Sequence, residues 1–124
     1  MKKIFIVVDA QNDFITGALA NSDADKKVND IVNELSNFDK KYIYFTADTH
    51  YPETYNNSLE GQKLPVAHCL FSTNGWCIDP RLFPYVTANN LVIKNTFGYT
   101  KWNLELNTKT ANMNFIIRGT CIQF

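Results

Sequence analysis

Residues 3–8, Lys3-Ile4-Phe5-Ile6-Val7-Val8, form an unbroken β-branched and aromatic run that stops at a carboxylate, Asp9. Unbroken rather than alternating apolarity predicts a strand buried on both faces, the habit of parallel sheets. Parallel strands need long crossover connections, and ligands gather outside the carboxyl ends of such strands. The rest of the chain supplies the pieces in order. Asp9–Asn21 reads as a loop. Ser22 and Asp25 make a capping-box-like pair opening a helix, and Val28, Ile31, Val32 and Leu35 recur on one face of it. Lys41–Thr46 reads as a second strand, Leu91–Ile93 as a third, Thr100–Asn107 as a short helix and Met113–Ile117 as a fourth strand. The predicted fold class is α/β, a Rossmann-like open parallel sheet with helices on both faces, stopping after about the fourth strand.

Composition narrows the function classes. The chain has 124 residues, the size of one domain (1–124) with one core. Its 12 basic and 12 acidic side chains cancel, and no basic face stands out, which argues against nucleic acid as a partner. Cys69, Cys77 and Cys121 are odd in number and irregular in spacing, so no disulfide framework is expected and a reducing, cytoplasmic setting is. The apolar run at the N-terminus is too short for a signal peptide or a membrane span.

The stretch 47–90 is long, irregular, and holds all four prolines and both histidines. A connection of that length in a small domain is commonly functional. Listing what falls at the strand ends gives Asp9, then Asp48 with His50, then Lys94, then Gly119-Thr120-Cys121. Asp9 is placed to act as a general base or cation partner, or as an ordinary turn residue. A lysine beside it would form a counter-charged pair able to tune a third group. Asp48 and His50, two apart in an extended segment, point the same way, as two ligands of one metal must. His68 and Glu60 lie in the same stretch, with Glu53 an alternative to Glu60. One Asp, two His and one Glu suit Zn²⁺, Fe²⁺ or Mn²⁺. Cys69 and Cys77 read as small core residues, whereas Cys121, at a strand end, is better placed for reactivity.

With these residues named, the chain resembles the isochorismatase-like cysteine hydrolases, and within them the nicotinamidase (pyrazinamidase) branch. Val7-Val8-Asp9-Ala10-Gln11-Asn12-Asp13-Phe14 is similar to the family's opening motif, and Thr46-Ala47-Asp48-Thr49-His50 to its metal motif. Glu60 to Cys69, Thr73-Asn74-Gly75-Trp76 and Ile93-Lys94-Asn95-Thr96-Phe97-Gly98 follow in the family's order. The resemblance implies a hydrolase that converts nicotinamide to nicotinic acid and ammonia through a cysteine thioester, in NAD salvage. It implies Asp9 and Lys94 as catalytic residues, Asp48, His50, Glu60 and His68 as ligands of one divalent metal, zinc first, and Phe14 in the substrate pocket.

The resemblance also carries a departure. In the family the nucleophilic cysteine stands six positions after the glycine that ends the fourth strand, which here is Gly119, so the count falls at 125, one past Phe124. Cys121 matches instead a position that follows a non-proline cis peptide, so Thr120-Cys121 is expected to form that bond and to help build the oxyanion hole. The chain is therefore expected to be C-terminally truncated, to lack its nucleophile and to be inactive in this form. Its uncovered strand is expected to favour a homo-oligomer. Three alternatives stand beside this reading: a metal- or ligand-binding pseudoenzyme fragment of the same family, another isochorismatase-like hydrolase, and an enzyme in which Cys121 acts as the nucleophile.

Overall fold

The computed structural model describes residues 2–94 and 113–120. Its centre is a four-stranded sheet built from β1 (Lys2–Val8), β2 (Ile43–Asp48), β3 (Leu91–Lys94) and β4 (Met113–Gly119). The strand order is β3-β2-β1-β4 and every pairing is parallel. The chain walks outward from β1 through β2 to β3, then returns to the other side of β1 for β4. The reversal makes the carboxyl ends of β1 and β4 a topological switch point, the place where open parallel sheets open a crevice. The expected Rossmann-like parallel sheet is therefore the fold.

β1 is buried on both sides, as its unbroken apolar run requires. Phe5 and Val7 join Ile43 and Phe45 on one face, where α2 (Ala24–Leu35) packs with Ala24, Val28, Ile31 and Leu35. Ile4 and Ile6 face the other way beside Val8, Tyr42 and Tyr44. Alternate residues of one strand thus serve two apolar layers, which only a central strand can do. Between β1 and α2 lies a single turn, α1 (Asn12–Ile15), where a loop was expected.

Two boundaries differ from the sequence reading, for local reasons. α2 begins at Ala24, not Ser22, because the Asn21 side chain accepts the Asp23 amide and Asp23 becomes the N-cap. β2 begins two residues later than Lys41 because Lys40–Tyr42 forms a 3₁₀ turn whose N-cap Asp39 accepts the Lys41 amide. The expected helix at 100–107, on which the covering of the second face would rest, lies outside the described residues. Between β2 and β3 the chain runs through short 3₁₀ turns and one helix, α3 (Leu59–Lys63). No helix among the described residues is long and apolar enough to cross a membrane.

Candidate active site and metal centre

Asp9 is the first residue past β1, and its φ of 54° places it in the left-handed region. Aspartate tolerates that region better than most residues, yet it marks a backbone held by its surroundings. The holding groups are visible. The Asp9 amide donates to the Thr46 carbonyl at 3.1 Å, and Thr120 Oγ1 donates to the Asp9 carbonyl at 3.0 Å. The carboxylate is fixed at both oxygens: Thr46 Oγ1 donates to Oδ1 at 2.6 Å and Lys94 Nζ to Oδ2 at 3.0 Å. Lys94 reaches Asp9 across β2, and both residues are buried. Burial pushes the Asp9 carboxyl up, and the opposing charge of Lys94 with the hydrogen bonds from Thr46 and Lys94 offsets only part of that rise. A buried carboxyl raised in this way, with a cation alongside, is a form in which acid/base groups are tuned.

The second cluster sits at the end of β2. Asp48 ends the strand, His50 follows in extended chain, Glu60 lies in α3, and His68 is held in the loop beyond it. One ligand atom from each lies within 4.8 Å of the others. Asp48 Oδ2 is 3.0 Å from His50 Nε2 and 3.2 Å from His68 Nε2, while Glu60 Oε2 is 3.0 Å and 3.1 Å from the same two nitrogens. Four ligand atoms around a tetrahedral ion at about 2.0 Å stand about 3.3 Å apart. The four carboxylate–imidazole spacings come close to that edge.

Hydrogen bonding tests the fit further. His68 Nδ1 is 2.8 Å from the Val66 carbonyl, which can only accept, so that nitrogen carries the proton. In the neutral ring Nε2 then presents a lone pair to two carboxylates. Asp48 Oδ1 and Glu60 Oε2 are buried without a hydrogen bond, the latter in spite of its two imidazole neighbours. Acceptors facing acceptors in a buried site call for a cation. With no cation between them, the same carboxylates instead draw protons onto the imidazoles. Burial alone would raise Asp48, but hydrogen bonds from His50 and His68 hold it down to about 2. Glu60 is raised by burial and by the neighbouring Asp48, and His68 is raised by Asp48 and Val66 against the opposing effect of burial. Glu53, the alternative ligand, is exposed and outside the cluster, and Glu60 is its fourth member.

Supporting residues escaped the sequence reading. Asp13 Oδ2 accepts the Cys69 amide at 2.7 Å, tying α1 to the loop that carries His68. Cys69 has a φ of 49°, and Gly75 packs so close to Asp13 that a Cβ there would lie 2.3 Å from Oδ2. Tyr55 is buried, donates to the Leu64 carbonyl, and stands edge-on to both imidazoles at 5.0 Å and 5.4 Å. Trp76 Nε1 donates to Thr49 Oγ1 at 2.8 Å. Gln11, fully buried, binds the backbone of Asp48 and Trp76. Buried polar residues just after a strand end were the available signal.

Phe14 is buried with its ring 5.5 Å from that of His68, so it borders the cluster. Thr120 is fully buried, and Asn21 donates to its carbonyl at 3.0 Å. Cys121, its expected cis bond with Thr120, and Asn95–Gly98 lie outside the described residues. Cys69 is buried and its thiol is pushed up by burial and nearby carboxylates, which makes it inert.

Comparison with known proteins follows the same lines. No curated protein matches the chain. Among solved structures, a nicotinamidase/pyrazinamidase from Bacillus subtilis is 24% identical with a TM-score of 0.72, over 98% of this chain and 72% of that one. An N-carbamoylsarcosine amidase from Thermoplasma acidophilum is 20% identical with a TM-score of 0.67, over 96% and 68% of the two chains. A Pyrococcus horikoshii pyrazinamidase, solved in complex with zinc, is 24% identical with a TM-score of 0.64, over 96% and 70%. At these identities the likeness is one of fold. Residues 3–117 match the isochorismatase domain, and with nearly the whole described sheet inside that match, the chain belongs to the isochorismatase domain family of hydrolases.

Proposed function

We propose that this single domain carries the acid/base pair and the metal centre of a nicotinamidase-like amidohydrolase, acting on a small aromatic carboxamide in the cytoplasm. The reading rests above all on one observation: the buried Asp9–Lys94 pair and the four-ligand cluster share one edge of one sheet. In this reading Asp9 accepts the proton of a cysteine thiol while the sulfur attacks the carboxamide carbon. The C–N bond then breaks, and Asp9 returns the proton to the leaving nitrogen, which departs as ammonia. Water next gives a proton to Asp9 as its oxygen attacks the thioester, releasing the acid and restoring the thiol. Lys94 favours the thiolate and fixes the orientation of Asp9. Asp48, His50, Glu60 and His68 would hold one divalent metal, zinc first, with iron or manganese as alternatives, and that metal would supply a Lewis acid for the substrate ring. Phe14 packs against the ring. Thr120, held by Asn21 and by Asp9, would with Cys121 contribute to the oxyanion hole.

The nucleophile in this reading belongs at position 125, so a molecule of these 124 residues is expected to release no ammonia from nicotinamide or pyrazinamide. Extending the chain through a cysteine at 125 and two further strands is expected to create turnover. Turnover by the 124-residue chain that vanishes in Cys121→Ala would instead make Cys121 the nucleophile.

A further inference from the structure

We infer that Gln11 is a positioning residue for the metal centre, its side-chain amide standing in for a strand that is absent beside Asp48. β1 pairs with β2 up to Val8 opposite Thr46 and then leaves the sheet at Asp9. Asp48 lies two residues beyond that last pair. On its β3 side it is matched by Lys94, whose carbonyl accepts the Thr49 amide at 2.7 Å. On its β1 side no strand residue remains, and Gln11 fills the gap. Its Oε1 accepts the Asp48 amide at 2.9 Å and its Nε2 donates to the Asp48 carbonyl at 2.8 Å. Those are the two bonds a neighbouring strand makes, supplied by a primary amide, the one side-chain group with the same donor and acceptor pattern as a peptide.

The remaining Nε2 hydrogen goes to the Trp76 carbonyl at 2.8 Å. Trp76 in turn donates from its ring nitrogen to the hydroxyl of Thr49, so the strand end that carries the first ligand is held on its β3 side by Lys94 and on its β1 side by Gln11. Gln11 is itself fixed, with its backbone bridged to Ile78 and its side chain fully buried. A ligand at a strand end is only as well placed as its last peptide. Groups that orient metal ligands change affinity about 10–100-fold when lost.

The inference rests on the metal reading, and its test separates the two. Zn²⁺ affinity by competition, and the visible absorption of bound Co²⁺, are measured on the full 124-residue chain, on Gln11→Met, on Gln11→Glu and on Asn12→Ala. Asn12 is the control, because its side chain joins the same two segments through the Asn74 carbonyl without touching Asp48. Gln11→Met is expected to weaken Zn²⁺ binding about 10–100-fold and to change the Co²⁺ bands. Gln11→Glu, which turns an oxygen toward two carbonyls, is expected to do so at least as strongly, while Asn12→Ala leaves both readings unchanged. Equal affinity and identical bands in Gln11→Met would overturn the role of Gln11. So would an equal loss in Asn12→Ala. Should the Gln11 variants fail to fold, the side-chain amide resonances of Gln11 in the unsubstituted chain decide the matter. They are expected to shift when Zn²⁺ is added, and their indifference would overturn the inference. No binding by the unsubstituted chain would reject the metal reading itself.

Discussion

Two polar clusters share the carboxyl edge of the sheet, and they solve burial in opposite ways. The Asp9–Lys94 pair is closed: each carboxylate oxygen has a donor, one from Lys94 and one from Thr46. The Asp48, His50, Glu60 and His68 cluster is open: two carboxylate oxygens, Asp48 Oδ1 and Glu60 Oε2, are buried without a hydrogen bond. A closed cluster can sit in a folded chain indefinitely. An open one costs stability until something positive arrives. On the function proposed above, the closed pair belongs to the protein's own chemistry and the open cluster awaits a metal.

The largest expected effect breaks the closed cluster. In an active, extended form, Asp9→Asn or Lys94→Met should lower ammonia release by at least about 10³-fold, since general acid–base groups of this kind contribute that much. Retention of activity in either variant would detach the pair from the chemistry.

Next comes the open cluster. His50→Ala combined with His68→Ala should remove bound metal, read by elemental analysis, from about one per chain to none. Metal should also raise the melting temperature of the unsubstituted chain and leave the double variant unmoved, because a ligand stabilises only the state that binds it. Equal metal content in both proteins would end the assignment.

A third experiment compares the clusters with the apolar layer beneath them. Leu35→Ala, in the fully buried face of α2, should cost about 2–5 kcal/mol of stability while leaving metal affinity alone. Denaturant unfolding reads the first quantity and metal competition the second. A joint loss of both would mean that the site and the core unfold as one unit.

The smallest effect concerns protons away from the site. Asp79 is held below its usual range, chiefly by hydrogen bonds from Arg81, whose Nε and second terminal nitrogen reach its two oxygens at 2.9 Å and 2.8 Å. A carboxyl lowered on folding contributes stability that is full above its unfolded value of 3.8 and fades as pH falls through the lower, folded value. Acid titration of stability should therefore show a component that disappears in Asp79→Asn. An exposed apolar pair on β4, Phe115 and Ile117, leads to a further expectation of self-association, which light scattering at micromolar concentration checks.

Much of this molecule was legible before its structure. The unbroken run at residues 3–8 announced a central parallel strand, and strand ends pointed to Asp9, Asp48, His50 and Lys94. Those signals are local: a periodicity, and a polar residue where it stops. Tyr55, Gln11 and Asp13 were missed because their roles exist only across long separations, as when Asp13 accepts an amide 56 residues away. The delayed starts of α2 and β2 were missed for the opposite reason. Short side-chain caps at Asn21 and Asp39 outcompeted the first turn of one element and the first pairs of the other.

The left-handed backbone at Asp9 bears on how any variant there should be interpreted. Asparagine accepts that conformation, whereas a residue such as alanine would meet a penalty of about 1–2 kcal/mol there. Asp9→Ala would therefore confound a missing carboxylate with a distorted turn, and the turn carries the Thr46 and Thr120 contacts with it. Only the amide replacement isolates the charge. At this position the geometry of the main chain chooses the experiment.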